Sequence, residues 1–208
     1  MSKYTIILDP GHGGLINDKY VTPGKRSPKF DDGSQLFEGV NNREIVNKLA
    51  LALFNENIQY VDIVSSQDDV SLQTRVERAN KLNKIKPCIY ISIHSDANGD
   101  GIKWDQASGL SVYTSKGQTK SDIIASIVID KLQENFKSEV KWRTDITDHD
   151  KDKEENFYVL KNTNCPAILC ELGFHTNKEE ATKMLTQEWK NKIVKSIVDA
   201  IKEFELKN

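Results

Sequence analysis

The sequence predicts an α/β fold: one largely parallel, twisted sheet flanked by helices on both faces. Three observations carry this. Short apolar runs alternate with amphipathic segments from one end of the chain to the other. Residues 88–93 are almost continuously apolar, as in a strand buried on both faces of a parallel sheet. There is no internal repeat, low-complexity tract or linker, so residues 1–208 are expected to form a single domain.

The elements follow in order. Ile6, Ile7 and Leu8 form the first strand, stopped by Pro10 and by Gly11, Gly13 and Gly14. Residues 15–37 have no regular period and contain Pro23 and Pro28, which marks a long loop of a functional or mobile kind. A helix is expected from Asn42, its cap, with Glu44 in the first turn and Ile45, Leu49, Ala52 and Leu53 on one face. Asn55 and Asn57 end it, and residues 60–64 read as a strand. Ser71 caps a helix through Leu72, Val76, Ala79 and Leu82, and the strand 88–93 then runs to His94.

After a polar loop at 98–108, residues 110–114 read as a strand. Ser121 is expected to cap a helix with Ile124, Ile127, Val128, Leu132 and Phe136 inside. Residues 145–156 are dense in both charges and read as a solvated loop. Residues 157–160 and 167–170 read as short strands, the second ending at Glu171. Asn177 with Glu180 three residues on has the form of a capping box. A last helix from Glu188 turns Trp189, Ile193, Ile197, Ala200, Ile201 and Phe204 inward.

Composition narrows the class. Hydrophobic content of 38% and charged content of 29% suit a soluble domain with one core. A net charge of -2 gives no reason to expect nucleic acid or an anionic surface as partner. Three cysteines do not make a disulfide framework, and Cys88 and Cys170 lie in apolar runs as buried thiols. No stretch is long and apolar enough for a membrane span. Residues 1–4 lead straight into the first strand, so no signal peptide is expected.

The chemistry gathers at strand ends. His12, His94 and Glu171 each follow or end an expected strand, and the carboxyl ends of parallel strands share one edge, where ligands bind. Glu38 stands just before the first helix and joins them at that edge. Two histidines and a carboxylate make a common catalytic zinc shell with a position open for water, and a further acid beside it can take the water's proton. The residues alone do not divide the four into ligands and base. His149 in the charged loop reads as exposed and without function. His175 is expected to line the pocket, either behind the ligands or at the rim, and not as a ligand. Arg75 and Asn80 are expected to serve as an ion pair or cap, and the cysteines lack ligand spacing.

Five stretches then carry a resemblance. They are Leu8-Asp9-Pro10-Gly11-His12-Gly13-Gly14; Glu38; Ser71-Leu72 with Arg75 and Ala79-Asn80; Ser92-Ile93-His94-Ser95; and Pro166-Ala167-Ile168-Leu169-Cys170-Glu171-Leu172-Gly173-Phe174 with Asn177. In this order they closely resemble the zinc-dependent N-acetylmuramoyl-L-alanine amidases with a DPGHGG opening, found in autolysins and phage endolysins. The resemblance implies zinc held by residues matching His12, Glu38 and His94, with Glu171 as catalytic glutamate. It also implies peptidoglycan as the substrate and action at the bacterial cell wall; a monomer is expected. Lack of a leader would then point to release as a phage lysin or to a truncated secreted protein. Two departures bear on substrate contacts: Ser65-Ser66-Gln67-Asp68 replaces a frequent Thr-Arg pair before the acid, and Asp96 replaces a frequent Asn. A peptidase of the same architecture and an inactive wall-binding module are the competing readings; the intact set of four residues speaks against the second.

Overall fold

The computed structural model describes residues 2–147 and 149–207. Its main sheet has six strands: β1 (Thr5–Pro10), β4 (Tyr60–Asp62), β5 (Cys88–Asp96), β6 (Leu110–Thr114), β7 (Lys153–Glu154) and β8 (Ala167–Phe174), in the order β4-β1-β5-β8-β6-β7. The first four in that order are parallel, β6 is antiparallel to β8, and β7 is parallel to β6. The expected largely parallel sheet is therefore present, with two reversed strands at one side.

Alternation along the strands builds two cores. Ile6, Leu8, Ile89, Ile91, Ile93, Val112, Ile168 and Cys170 face α1 (Glu38–Asn55), α3 (Lys120–Phe136), α5 (Lys178–Met184) and α6 (Gln187–Lys207). Ile7, Tyr90, Tyr113, Ala167 and Leu169 face α2 (Leu72–Asn83) and α4 (Tyr158–Asn162). A period of two on strands buried on both faces produces this division. Rings seal the larger core, with Tyr4 5.6 Å from Phe204 and Phe136 4.8 Å from Trp189. Cys88, Cys165 and Cys170 are buried free thiols. Among the described residues no helix is long and apolar enough to cross a membrane.

Several boundaries differ from the sequence reading. Helix α1 starts at Glu38, not Asn42, and Phe37 at its N-cap offers no side-chain bond. The preceding loop supplies the missing acceptors: Glu38 N–H donates to Lys25 O (3.0 Å) and Gly39 N–H to Tyr20 Oη (2.9 Å). Asn42 is thereby freed to point inward, and its Nδ2 donates to Gly11 O at 3.2 Å. That loop is also less irregular than expected, since β2 (Leu15–Ile16) and β3 (Lys19–Tyr20) pair as a small antiparallel ribbon.

Residues 157–160 are not a strand: Phe157 is the N-cap of helix α4 and Tyr158, Val159 and Leu160 are its first residues; a run of four apolar residues is too short for its period to decide. Thr119, not Ser121, caps α3 through a capping box with Asp122, while Ser121 Oγ accepts from Ala167 N–H at 3.1 Å. Asn177 does cap α5, but Glu180 does not return the bond; its carboxylate accepts from Gly109 and Phe174 N–H instead. The charged stretch 145–156 contains β7 and the buried Asp152. Strand β5 runs past His94 to Asp96 through a register irregularity, and β8 runs past Glu171 to Phe174.

Leu49 is fully buried between α1 and the sheet. Leu49→Ala should cost about 2–5 kcal/mol in urea unfolding with little change in m-value. A loss below about 1 kcal/mol would show that α1 is not packed as described.

Candidate metal centre

The site begins at the end of β1. Asp9 is buried, and its Oδ2 accepts from Tyr90 Oη (2.5 Å) and Ser92 Oγ (2.7 Å) on the neighbouring strand. Its Oδ1 pairs with the Arg75 guanidinium from α2, which also donates to Pro10 O (2.7 Å) and Val70 O (2.8 Å). Burial alone would raise the Asp9 carboxyl; Arg75 and the two hydroxyls outweigh it and hold the group below its ordinary value. Arg75 is therefore the structural ion pair anticipated for it, and Asn80 bonds the backbone at Asn162 and Asn164.

Past Asp9 the chain bends sharply. His12 has φ 64, uncommon for a side-chain-bearing residue. Its carbonyl is held from two sides, by Arg43 Nη1 (2.8 Å) and Arg75 Nη2 (3.4 Å). Arg43 is itself fixed by Ser66 O and Asp68 O, and Gly14 N–H by Gln67 O. The departure at 65–68 thus supports the backbone of the His12 loop. Two glycines allow the close approach: a Cβ on Gly11 would stand 2.2 Å from the His94 ring, and one on Gly39 would stand 1.9 Å from Gly13 O.

Three side chains converge here. Glu38, in the first turn of α1, is buried between the imidazoles. Its Oε1 lies 3.3 Å from His94 Nδ1 and accepts from Ser95 N–H at 3.2 Å, and its Oε2 lies 3.3 Å from His12 Nε2. The two rings meet edge to face at 5.1 Å. Two imidazole nitrogens and a carboxylate oxygen lie within 4.8 Å of one another, a spacing from which all three can reach one ion. Apart from its contact with His12, Glu38 Oε2 is buried without a hydrogen bond, an atom that a metal ion would satisfy. Burial would raise the Glu38 carboxyl, but His12 and His94 hold it well below the usual range. Burial would lower the His94 imidazole, but Glu38 and Glu171 raise it.

Glu171 stands beside this group. It is the register partner of His94 across β5 and β8, and its Oε2 is buried without a partner. Burial pushes its carboxyl up to about 8; Glu38 and Asp96 add to the rise, and His94 and Lys25 oppose it. The structure therefore brings His12, Glu38, His94 and Glu171 to one place, at the carboxyl edge of the parallel strands. A cleft of about 510 Å3 opens there, lined by His12, Lys25, Leu72, Phe157, Leu169 and Glu171 among others. A larger groove of about 730 Å3 beside β4 is lined mainly by apolar and amide groups such as Phe54, Ile58 and Leu82.

The remaining candidates fall outside the group. Of the two places open to His175, the structure puts it behind the ligands and not at the rim: it is buried, with Nδ1 3.0 Å from Ser95 Oγ and 3.9 Å from Glu38 Oε2. His149 is exposed. Asp96 pairs with Arg143, whose guanidinium lies over the Phe174 ring at 4.7 Å. Sequence reading missed the roles of Tyr90, Ser92 and Arg43, which hold the loop from far along the chain and leave no local signal.

The sequence profile of the N-acetylmuramoyl-L-alanine amidases matches residues 6–203. The chain belongs to this family. It is 27% identical over 201 residues to the probable cell wall amidase LytH of Staphylococcus epidermidis, covering 96% of this chain and 58% of that protein. It thus spans little more than half the length of that relative. Among solved structures it is similar to an N-acetylmuramoyl-L-alanine amidase from Clostridium difficile 630, with TM-score 0.78 and 28% identity over 98% of this chain and 97% of the other. The amidase AmiC2 of Nostoc punctiforme matches with TM-score 0.76 and 25% identity, over 99% and 98% of the two chains.

The amidase fold thus hangs its His12 loop on a buried ion pair, and breaking that pair should be costly. Arg75→Ala is expected to lose about 3–5 kcal/mol, because it leaves the Asp9 charge uncompensated in the interior. The folded Asp9 carboxyl is depressed from 3.8, so its contribution is present above that pH and is lost as pH falls through the lower folded value. Asp9→Asn should therefore flatten the acid limb of a stability-against-pH curve. An unchanged acid limb would remove Asp9 from this role.

Proposed function

We propose that residues 1–208 act as one catalytic domain that hydrolyses the amide between the N-acetylmuramic acid lactyl group and L-alanine in peptidoglycan. His12, Glu38 and His94 would hold a zinc ion, and Glu171 would be the general base. The observation that carries this reading is the placement of Glu171 as register partner of His94, next to the His12–Glu38–His94 group, in a chain of the amidase family.

Bound by these three residues, zinc supplies Lewis acidity to a carbonyl oxygen and to a water molecule. Glu171, raised to about 8 by burial, would be brought back toward the ionised form by a cation on that group, and could then accept a proton at neutral pH. Glu171 takes the proton from the attacking water and passes it to the leaving amine nitrogen of alanine, which departs neutral. Asp9, Arg75 and Arg43 keep the His12 backbone in place so that the imidazole needs no reorganisation. The cleft is walled by apolar Leu72, Phe157 and Leu169 beside Lys25, a mixed surface that suits a peptide attached to a sugar. The place of action is the bacterial cell wall, where this substrate lies.

Glu171→Gln separates base from ligand. The variant should keep the fold and one zinc per chain by metal analysis while turnover on purified wall falls by about 10²–10⁴-fold. His94→Ala should lose the zinc itself. Loss of zinc from Glu171→Gln would make Glu171 a ligand, and full occupancy in His94→Ala would take His94 out of the shell.

The bond is identified by its ends. Digested wall should release new N-terminal alanine and no new reducing sugar. Reducing ends would require a carboxylate pair flanking a sugar and would rule out the amidase assignment. New amino groups on other stem residues, without N-terminal alanine, would identify a peptidase.

A further inference from the structure

A second group of acids lies on the other face of the sheet. Asp122 stands in the first turn of α3, and Asp150 and Asp152 lead into β7. Lys153 pairs with Tyr113 and covers its ring on the α2 side, so Asp152 turns to the α3 side with Thr114. One carboxylate oxygen from each of the three acids lies within 4.8 Å of the others.

Each carboxylate has one oxygen engaged and one idle. Asp122 Oδ2 accepts from Thr119 N–H, Asp150 Oδ2 from Gln118 Nε2 (3.2 Å) and Asp152 Oδ2 from Thr114 Oγ1 (2.6 Å). The three Oδ1 atoms are shielded from solvent and have no hydrogen-bond partner. Asp122 is 5% exposed and Asp152 only 1%. Lys151, next in sequence, turns away to Asp130 at 2.6 Å. Among the described residues no lysine or arginine pairs with any of the three. Idle buried carboxylate oxygens facing like charge are costly unless a cation or a proton stands among them.

We propose that Asp122, Asp150 and Asp152 bind a calcium ion that fastens β7 and the segment before it to the start of α3. The donors are all oxygen, the set that suits a hard cation and discriminates against zinc, which takes the nitrogen-bearing group in the cleft. Calcium tolerates irregular geometry, whereas magnesium demands a near-ideal octahedron and keeps its waters. Burial, then Asp150 and Asp122, push the Asp152 carboxyl up to about 7 against the Thr114 hydrogen bond, the direction expected where carboxylates crowd without a cation. The site is structural and lies across the sheet from Glu171, so it is independent of the amidase reading.

The test uses the zinc-loaded full chain, dialysed free of calcium at about pH 7.5. Calorimetric titration with calcium chloride should show saturable binding of one ion per chain. Tm should rise by roughly 5 °C or more at a hundredfold excess over Kd. Asp152→Asn should weaken calcium binding about tenfold or more, keep zinc and wall hydrolysis, and be at least as stable as the parent without calcium, because it removes like charge. Asp150→Asn, at a less buried position, gives the same reading should Asp152→Asn fail to fold. No heat and no rise in Tm up to about 10 mM calcium would overturn the proposal. A rise undiminished in both variants, or matched by magnesium at equal concentration, would also overturn it.

Discussion

The ion pair between Asp9 and Arg75 is the constraint on which the site is built. Asp9 is the last residue but one of strand β1 and is bound by hydroxyls of β5 and by a guanidinium of α2. One carboxylate therefore ties two strands and a helix together under the loop that carries His12. A buried pair of this kind adds little net stability compared with an apolar filling, since both charges must be desolvated. What it adds is direction. The same guanidinium reaches Pro10 O and His12 O, so the residues after β1 have one favoured path, including the left-handed turn at His12.

The second constraint is electrostatic and belongs to Glu38. A carboxylate in the first turn of a helix is favoured by the macrodipole, but here it is also removed from water. Ser95 N–H and the two imidazoles compensate it. The helix start must therefore coincide with the carboxyl edge of the sheet, where β5 delivers His94 and Ser95. The loop from 15 to 37 serves that coincidence by offering Lys25 O and Tyr20 Oη to the first free N–H groups of α1. A loop that looked featureless in the sequence thus sets where the helix begins.

This explains what was legible and what was not. Strands β1, β5, β6 and β8 were legible because their side chains alternate between two apolar cores, and α6 because its inward face repeats over many turns; β2, β3 and β7, two residues each, were not. His12, Glu38, His94 and Glu171 were legible because each stands near a strand end or helix start, and such positions converge in a parallel sheet. Helix starts at Asn42 and Ser121 were misplaced because those side chains bond across the fold, to Gly11 and Ala167, not to their own helix. Residues 157–160 offered too few positions for a period to decide. Tyr90, Ser92 and Arg43 looked like core and surface residues, since their partners lie far away in sequence.

The two acidic environments differ in a way that sequence composition hides. Glu38 is buried next to imidazoles, which lower its carboxyl and supply nitrogen donors; Asp152 is buried next to other carboxylates, which raise it. The first arrangement offers mixed nitrogen and oxygen donors; the second offers only oxygen, on the opposite face. In Asp145 to Asn156 the many charges suggested solvation, yet Asp152 is among the most buried polar residues of the chain. Most of that stretch is exposed or half-buried, as its charge implies; Asp152 is the exception, buried against Thr114 beside Asp122 and Asp150.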